Sequence, residues 1–151
     1  MARSPKVVLK MRPDGQEGLF AREAVERDEI LVVYDGPVVD HATRYSIQID
    51  DDRHLDGTPD SSAFINHSCD PSAYVDWRGL CLRARRAMPA GAEITCDYHT
   101  TDWELYEPFT CGCGAAACRG EIRGFKHLGA DEQRALERWL PEFLKRRIPP
   151  A

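Results

Sequence analysis

The sequence predicts a mainly β fold of the α+β class, and three features carry that prediction. Short β-type runs recur from residue 7 to residue 98, turn-forming clusters separate them, and only past residue 128 does the apolar period become helical. The β-type runs are Val7 to Lys10, Leu19 to Ala21, Ile30 to Tyr34, Tyr45 to Ile49, Leu80 to Ala84 and Ile94 to Tyr98. Several alternate apolar with polar residues, as half-buried strands do. Pro13-Asp14-Gly15, Asp35-Gly36-Pro37, Asp56-Gly57, Trp77-Arg78-Gly79 and Pro89-Ala90-Gly91 supply the restricted or permissive φ that reversals need. In the last stretch Leu136, Trp139, Leu140, Phe143 and Leu144 form an apolar stripe of helical spacing, with Gly129 and Asp131 near its start. Pro141 interrupts it, which predicts a kink or two short helices that cover a core, with the tail KRRIPPA fraying into solvent.

Composition bounds the function. With 151 residues, 42% of them apolar and 30% charged, the chain can bury a core as one domain and has the composition of a soluble globular protein, not of a disordered one. A formal charge of −5 argues against direct nucleic-acid binding and for a basic partner. Neither a signal-peptide core nor a run of 18 apolar residues occurs, so the expectation is a soluble, intracellular protein without membrane contact, cytoplasmic unless nuclear or host-delivered.

The six cysteines are informative by spacing. Cys111, Cys113 and Cys118 lie in C-G-C-G-A-A-A-C, while Cys69, Cys81 and Cys96 stand singly. Three thiolates among Gly and Ala match the soft, tetrahedral demand of Zn²⁺, and a chain read as intracellular has little use for disulfides. Cys69, in a polar turn before Asp70-Pro71, is the best fourth ligand; His99 and His127 are the alternatives. Four protein ligands would close the coordination shell, making a structural clasp instead of a hydrolytic centre.

Three other stretches bear on chemistry. F-I-N-H-S-C-D-P-S at 64–72 concentrates an amide, an imidazole and a thiol, although Asn66 and His67 taken singly read as structural residues. In I-T-C-D-Y at 94–98, strand alternation puts Ile94, Cys96 and Tyr98 on one face, Thr95 and Asp97 on the other. D-G-Q-E-G-L-F-A at 14–21 is a glycine-bearing turn entering a strand, and it lacks the helix that the dinucleotide fingerprint requires. Taken alone it is a hairpin turn.

In order along the chain, GQEGLFA, VVYDG, RYSIQID, FINHSCDPS, ARRAMPAGAEITCDY and CGCGAAACRG resemble the SET-domain family of protein lysine methyltransferases with its cysteine-rich post-SET tail. The resemblance covers residues 6–127 and implies small twisted β-sheets in which the NHSC segment and the strand ending at Tyr98 meet as a pseudoknot. It implies a SET domain over 6–100 and a zinc-bound post-SET segment over 108–127, to which the helical stripe adds a C-terminal extension over 129–147. By resemblance, Asn66 and His67 hold S-adenosylmethionine, Gln16, Glu17 and Gly18 approach its methionine part, Tyr45 lines the same pocket, and Ile122 packs near the adenine. Cys69 joins Cys111, Cys113 and Cys118 on structural zinc. Tyr98 is the catalytic tyrosine and Tyr34 completes a channel for the substrate lysine, presented by a Lys/Arg-rich protein or peptide such as a histone-like or ribosomal tail. The sequence departs from the family at Gln16, which replaces a glycine, at Ala63, which often is Arg, and at Cys96, which stands where a Phe or Tyr limits the number of methyl groups. The smaller side chain predicts room for di- or trimethylation. Two rivals are a catalytically inactive, zinc-clasped peptide-binding module on the same fold and a thiol redox protein, the latter lacking C-x-x-C.

Overall fold

A computed structural model describes residues 2–57 and 64–151; Ala63 lies outside the described residues. The strands are β1 (Ala2–Arg3), β2 (Val7–Met11), β3 (Glu17–Ala21), β4 (Ile30–Val33), β5 (Val38–Val39), β6 (Ser46–Asp50), β7 (Arg53–Asp56), β8 (Asn66–His67), β9 (Ala73–Asp76), β10 (Cys81–Ala84), β11 (Glu93–Cys96), β12 (Phe109–Thr110) and β13 (Glu121–Ile122), followed by helices α1 (Ala130–Ala135) and α2 (Glu142–Lys145). They form small sheets in the orders β1-β4-β10-β9, β2-β3-β11-β8, β5-β7-β6 and β12-β13.

The β2–β3 hairpin shows how the sequence dictates the local form. Gly15 takes φ 85°, which a side chain disfavours, and Asp14 Oδ1 accepts the N–H of Gln16 at 3.0 Å. That turn fixes the register Val7↔Ala21 through Met11↔Glu17 and drives Leu19 and Ala21 into the core. In the other four-stranded sheet, β10 is sandwiched between β4 and β9, so Leu82 faces Val32 on one side and Val75 on the other. Leu19, Leu31, Val32, Leu82 and Ile94 are each fully buried, and burial stabilises by about 1.5–3 kcal/mol per large side chain.

One pairing organises the site. β8 runs parallel to β11, with Thr95 opposite Asn66 and Cys96 opposite His67, while β3 pairs antiparallel with the earlier part of β11. Ser68 N–H extends the join to Cys96 C=O at 3.1 Å, and Ser72 Oγ donates to Glu93 C=O at 2.8 Å. The NHSC segment is thereby pressed against the strand that leads to Tyr98.

The predicted strand through Tyr98 ends early, at Cys96. Asp97 caps a 3₁₀ turn over Tyr98–Thr100, its carboxylate accepting the N–H of His99, so alternation fails there and Asp97 is buried along with Cys96. The C-terminal stripe forms two short helices, as Pro141 requires: Leu140 is extended at φ −91°, ψ 149°, the conformation a following proline favours. Leu136, Leu140, Phe143 and Leu144 close over Phe125 as a second core, with Trp103, Leu128, Trp139 and Ile148 packed at its margin. Contrary to expectation, the tail is tied down as far as Ile148, and only its last three residues lie exposed without regular structure. The Arg147 guanidinium sits 4.4 Å over the Trp103 ring and 2.8 Å from Asp51, and Ile148 packs on the second core. Gly124 makes this core reachable: its φ is 119°, and a Cβ there would lie 2.6 Å from the Trp103 carbonyl.

Candidate functional site

A cleft of about 980 Å³ opens where the β2–β3 turn, the start of β6, the β8 segment, the β11 terminus and the β12 region converge. Of the residues predicted for the site, Gln16, Glu17, Tyr34, Tyr45, Asn66, His67, Cys96, Tyr98, Cys111 and Cys113 line it. Gly18 and Ile122 do not. Gly18 is buried behind the wall, where a Cβ would meet Glu93 Oε1 at 2.9 Å and Asn66 Nδ2 at 3.0 Å, so its bareness lets Asn66 seat. Ile122 is fully buried and pairs across the β12–β13 ladder with Phe109, which does line the cleft.

Asn66 Nδ2 donates to Glu17 C=O and to Glu93 Oε1, both at 3.0 Å. Those bonds consume its two donors and orient Oδ1 as the remaining polar atom, an acceptor suited to a ligand hydroxyl or ammonium. The neighbouring imidazole has a different job. His67 Nδ1 accepts the backbone N–H of Tyr98 at 3.0 Å, which leaves the proton on Nε2, 3.3 Å from Cys69 Sγ. The side chain is only 1% exposed, and burial pushes its pKa down to about 4, so it is a neutral imidazole. Both ring nitrogens are thereby engaged within the protein, while the residue itself lines the cleft.

The floor of the cleft is phenolic and apolar. Tyr98 Oη donates to Ile65 C=O at 2.5 Å, and its ring packs edge-on against His67 and Phe109. Burial drives the Tyr98 phenol far above its ordinary pKa, and Tyr34 and the Cys96 thiol likewise. Burial thus favours the protonated form of all three. Asp102, also on the lining, accepts Thr101 Oγ at 2.8 Å, and burial pushes its carboxyl up to about 7.

Beside the cleft, the sulfurs of Cys69, Cys111, Cys113 and Cys118 all lie within 4.8 Å of one another, and Cys69 Sγ is 4.0 Å from Cys111 Sγ. Tetrahedral zinc with Zn–S near 2.3 Å would hold its sulfurs about 3.8 Å apart, so the four-thiolate set fits the ion. Cys69 also receives N–H groups from the His67 ring at 3.3 Å and the Arg119 main chain at 3.4 Å, an outer shell of donors that suits a metal thiolate. The alternatives His99 and His127 are absent from the cluster.

Sequence reasoning missed the pairing that locks the clasp inward. Arg119 reaches from the cysteine loop to Asp97 Oδ2 at 3.1 Å, while His99 Nδ1 lies 2.8 Å from Oδ1 of the same carboxylate. Burial raises the pKa of Asp97, but the bond from His99 and the charges of His99 and Arg119 outweigh it, and the net direction is down. Both residues stood in recognisable motifs, ITCDY and CRG, but nothing local links positions 97 and 119.

Comparison with known proteins places this geometry. The SET domain family profile matches residues 16–99. The chain is 38% identical over 69 residues to "Methyltransferase flvH" of Aspergillus flavus, covering 44% of this chain and 39% of that one. It is 29% identical over 150 residues to "Histone-lysine N-methyltransferase, H3 lysine-36 specific" of Candida albicans, covering 84% and 17%. It is 29% identical over 128 residues to "Histone-lysine N-methyltransferase, H3 lysine-4 specific" of Schizosaccharomyces pombe, covering 70% and 14%. The chain thus spans well under half the length of these curated relatives. Among solved structures, KRYPTONITE in complex with mCHH DNA, H3(1-15) peptide and SAH superposes with TM-score 0.63 at 22% identity, over 76% of this chain and 29% of that one.

Proposed function

The chain belongs to the SET-domain family, and from that premise we propose that it transfers methyl groups from S-adenosylmethionine to the ε-amine of a lysine in a basic protein. The observation that carries the reading is the convergence of Asn66, Tyr34, Cys96 and Tyr98 on one cleft whose border includes two of the four clustered cysteines, Cys111 and Cys113. S-adenosylmethionine, when bound, supplies a sulfonium methyl that an amine lone pair can attack. The residues of this chain must bring a neutral amine to that carbon.

Asn66 Oδ1 and the turn of Gln16 and Glu17 would hold the polar part of the cofactor. Burial in a channel of Tyr34, Cys96 and Tyr98 disfavours an ammonium by desolvation, which lowers the lysine pKa. Because the Tyr98 proton is fixed on Ile65 C=O, the phenol oxygen offers its lone pairs to the incoming amine and methyl group as a positioning acceptor. Alignment of this kind accounts for ~7–11 kcal/mol in well-ordered reactions. Cys96 leaves a methylated amine room to turn, which favours multiple transfers. The net charge of −5, with Glu17 and Glu107 on the cleft, favours a Lys/Arg-rich tail; the relatives named for histone lysines make a histone-like tail the first candidate.

Incubation with methyl-labelled S-adenosylmethionine and core histones, read by mass spectrometry, tests this. Labelled lysine is expected, with Tyr98→Phe reducing the rate about 10²–10³-fold, as for loss of one preorganised catalytic hydroxyl. Product should run beyond monomethyl and stop there in Cys96→Tyr. Peptide binding without any transfer would instead establish the inactive binding module.

A further inference from the structure

A second groove, of about 730 Å³, lies between β9 and the C-terminal helices and shares no residue with the cleft. Arg27, Arg78, Arg85, Arg138 and Lys145 line it, a concentration of positive charge that stands out on a chain of net charge −5. Two of these guanidiniums share one ring. Arg85 Cζ lies 4.6 Å and Arg138 Cζ 4.3 Å from the centroid of Trp139, whose own position is fixed by Trp77 Nε1–H donating to its carbonyl at 3.0 Å and by Tyr74 packing 5.1 Å away.

Stacking on an indole immobilises a guanidinium plane and directs its N–H edge outward, the arrangement that takes carboxylate or phosphate in bidentate fashion. Two like charges on one ring also repel, and a bound anion would relieve that repulsion beyond what solvent screening does. The protein supplies none: among the described residues, no carboxylate lies within salt-bridge distance of Arg78, Arg85 or Arg138. The acids of the groove are already engaged, Asp28 with the Tyr74 hydroxyl at 2.8 Å, Asp76 with Arg83 at 2.8 Å and Glu142 with Lys145 at 3.3 Å.

We propose that this groove binds an acidic peptide segment of a partner protein, with its carboxylates held by the stacked guanidiniums of Arg85 and Arg138. A nucleic-acid backbone is the poorer occupant, for two reasons. Asp28, Asp76 and Glu142 interleave with the cations and would meet an unbroken row of phosphates with repulsion, and the net charge opposes approach of a long polyanion. A peptide whose carboxylates are interrupted by apolar residues meets both penalties in smaller measure than a long polyanion, and its apolar side chains can lie against Trp77 and Trp139.

The test is fluorescence anisotropy on the full chain with a labelled peptide of repeated Asp-Glu-Leu. An Asn-Gln-Leu peptide and a labelled single-stranded oligonucleotide serve as the other probes. The acidic peptide is expected to bind, to weaken as salt rises, and to lose about tenfold in affinity with each of Arg85→Gln and Arg138→Gln, the size of one charge-assisted contact. Arg86→Gln, whose arginine pairs with Asp70 outside the groove, should leave binding unchanged. Arg85→Lys, which keeps the charge and discards the planar fork, should weaken binding nearly as much as Arg85→Gln. Absence of binding, equal binding of the Asn-Gln-Leu peptide, tighter binding of the oligonucleotide, or full affinity in Arg85→Lys would each overturn the proposal.

Discussion

The cysteine loop and the C-terminal helices solve the same problem by opposite means. Each must attach a short piece of chain to the β-sheets, yet residues 110–121 contain no buried apolar side chain, whereas Phe125, Leu136, Leu140, Phe143 and Leu144 are all buried. The first depends on four thiolates and the Arg119–Asp97 pair, the second on excluded water. Their positions differ in a way that matters for function. Cys111 and Cys113 border the cleft, and the helical core lies behind it. The wall that touches the site is the one whose order can be added or removed by a single ion, because metal affinity there is folding free energy.

The sharpest break in that comparison is metal removal. Structural zinc on four thiolates carries an apparent binding free energy of about 10–16 kcal/mol, so a strong chelator, or Cys69→Ser, should abolish stoichiometric zinc and hydrogen-exchange protection over residues 109–122. Protection around Phe125 and Leu144 should persist, and its simultaneous loss would show that the two regions form one cooperative unit. The converse experiment is Phe125→Ala. Emptying that site should cost about 3–5 kcal/mol in urea unfolding while one zinc per chain remains bound by atomic absorption.

A smaller effect tests the joint between the regions. The Asp102 carbonyl accepts Phe125 N–H at 3.0 Å, and its carboxyl, pushed up to about 7 by burial, faces the cleft. The native state therefore keeps a proton that the unfolded chain releases near pH 4, and stability falls as pH rises from about 4 to 7, with the full penalty present above 7. Asp102→Asn, which preserves an acceptor for Thr101 Oγ, should raise the urea midpoint above pH 7 by the equivalent of ~2–4 kcal/mol and have no effect near pH 4. An unchanged midpoint at pH 8 would mean that solvent reaches the carboxylate.

How much of this was legible in the sequence depended on range. Hairpin β2–β3, the central strand β10 and the paired short helices follow from alternation, Gly15 and Pro141, all of which act within a few residues. The cysteine quartet could be read because thiols have few other uses in such a cluster. The strand ending early at Cys96 could not: Asp97 competes for backbone N–H groups in a turn that strand alternation does not encode. Nor could the two-residue strands β5 and β8, which exist only because a partner strand is presented to them. The orientation of His67 and the seat of Arg147 over Trp103 are likewise tertiary facts, set by neighbours 31 residues away in the first case.

The fourth sulfur of the clasp stands 42 residues before its nearest described companion, on the far side of the parallel β8–β11 join. Before that join is made Cys111, Cys113 and Cys118 offer three thiolates, and only the join completes the closed four-thiolate shell. A complete set of four thiolates around one ion thus reports that the threading beneath it is in place.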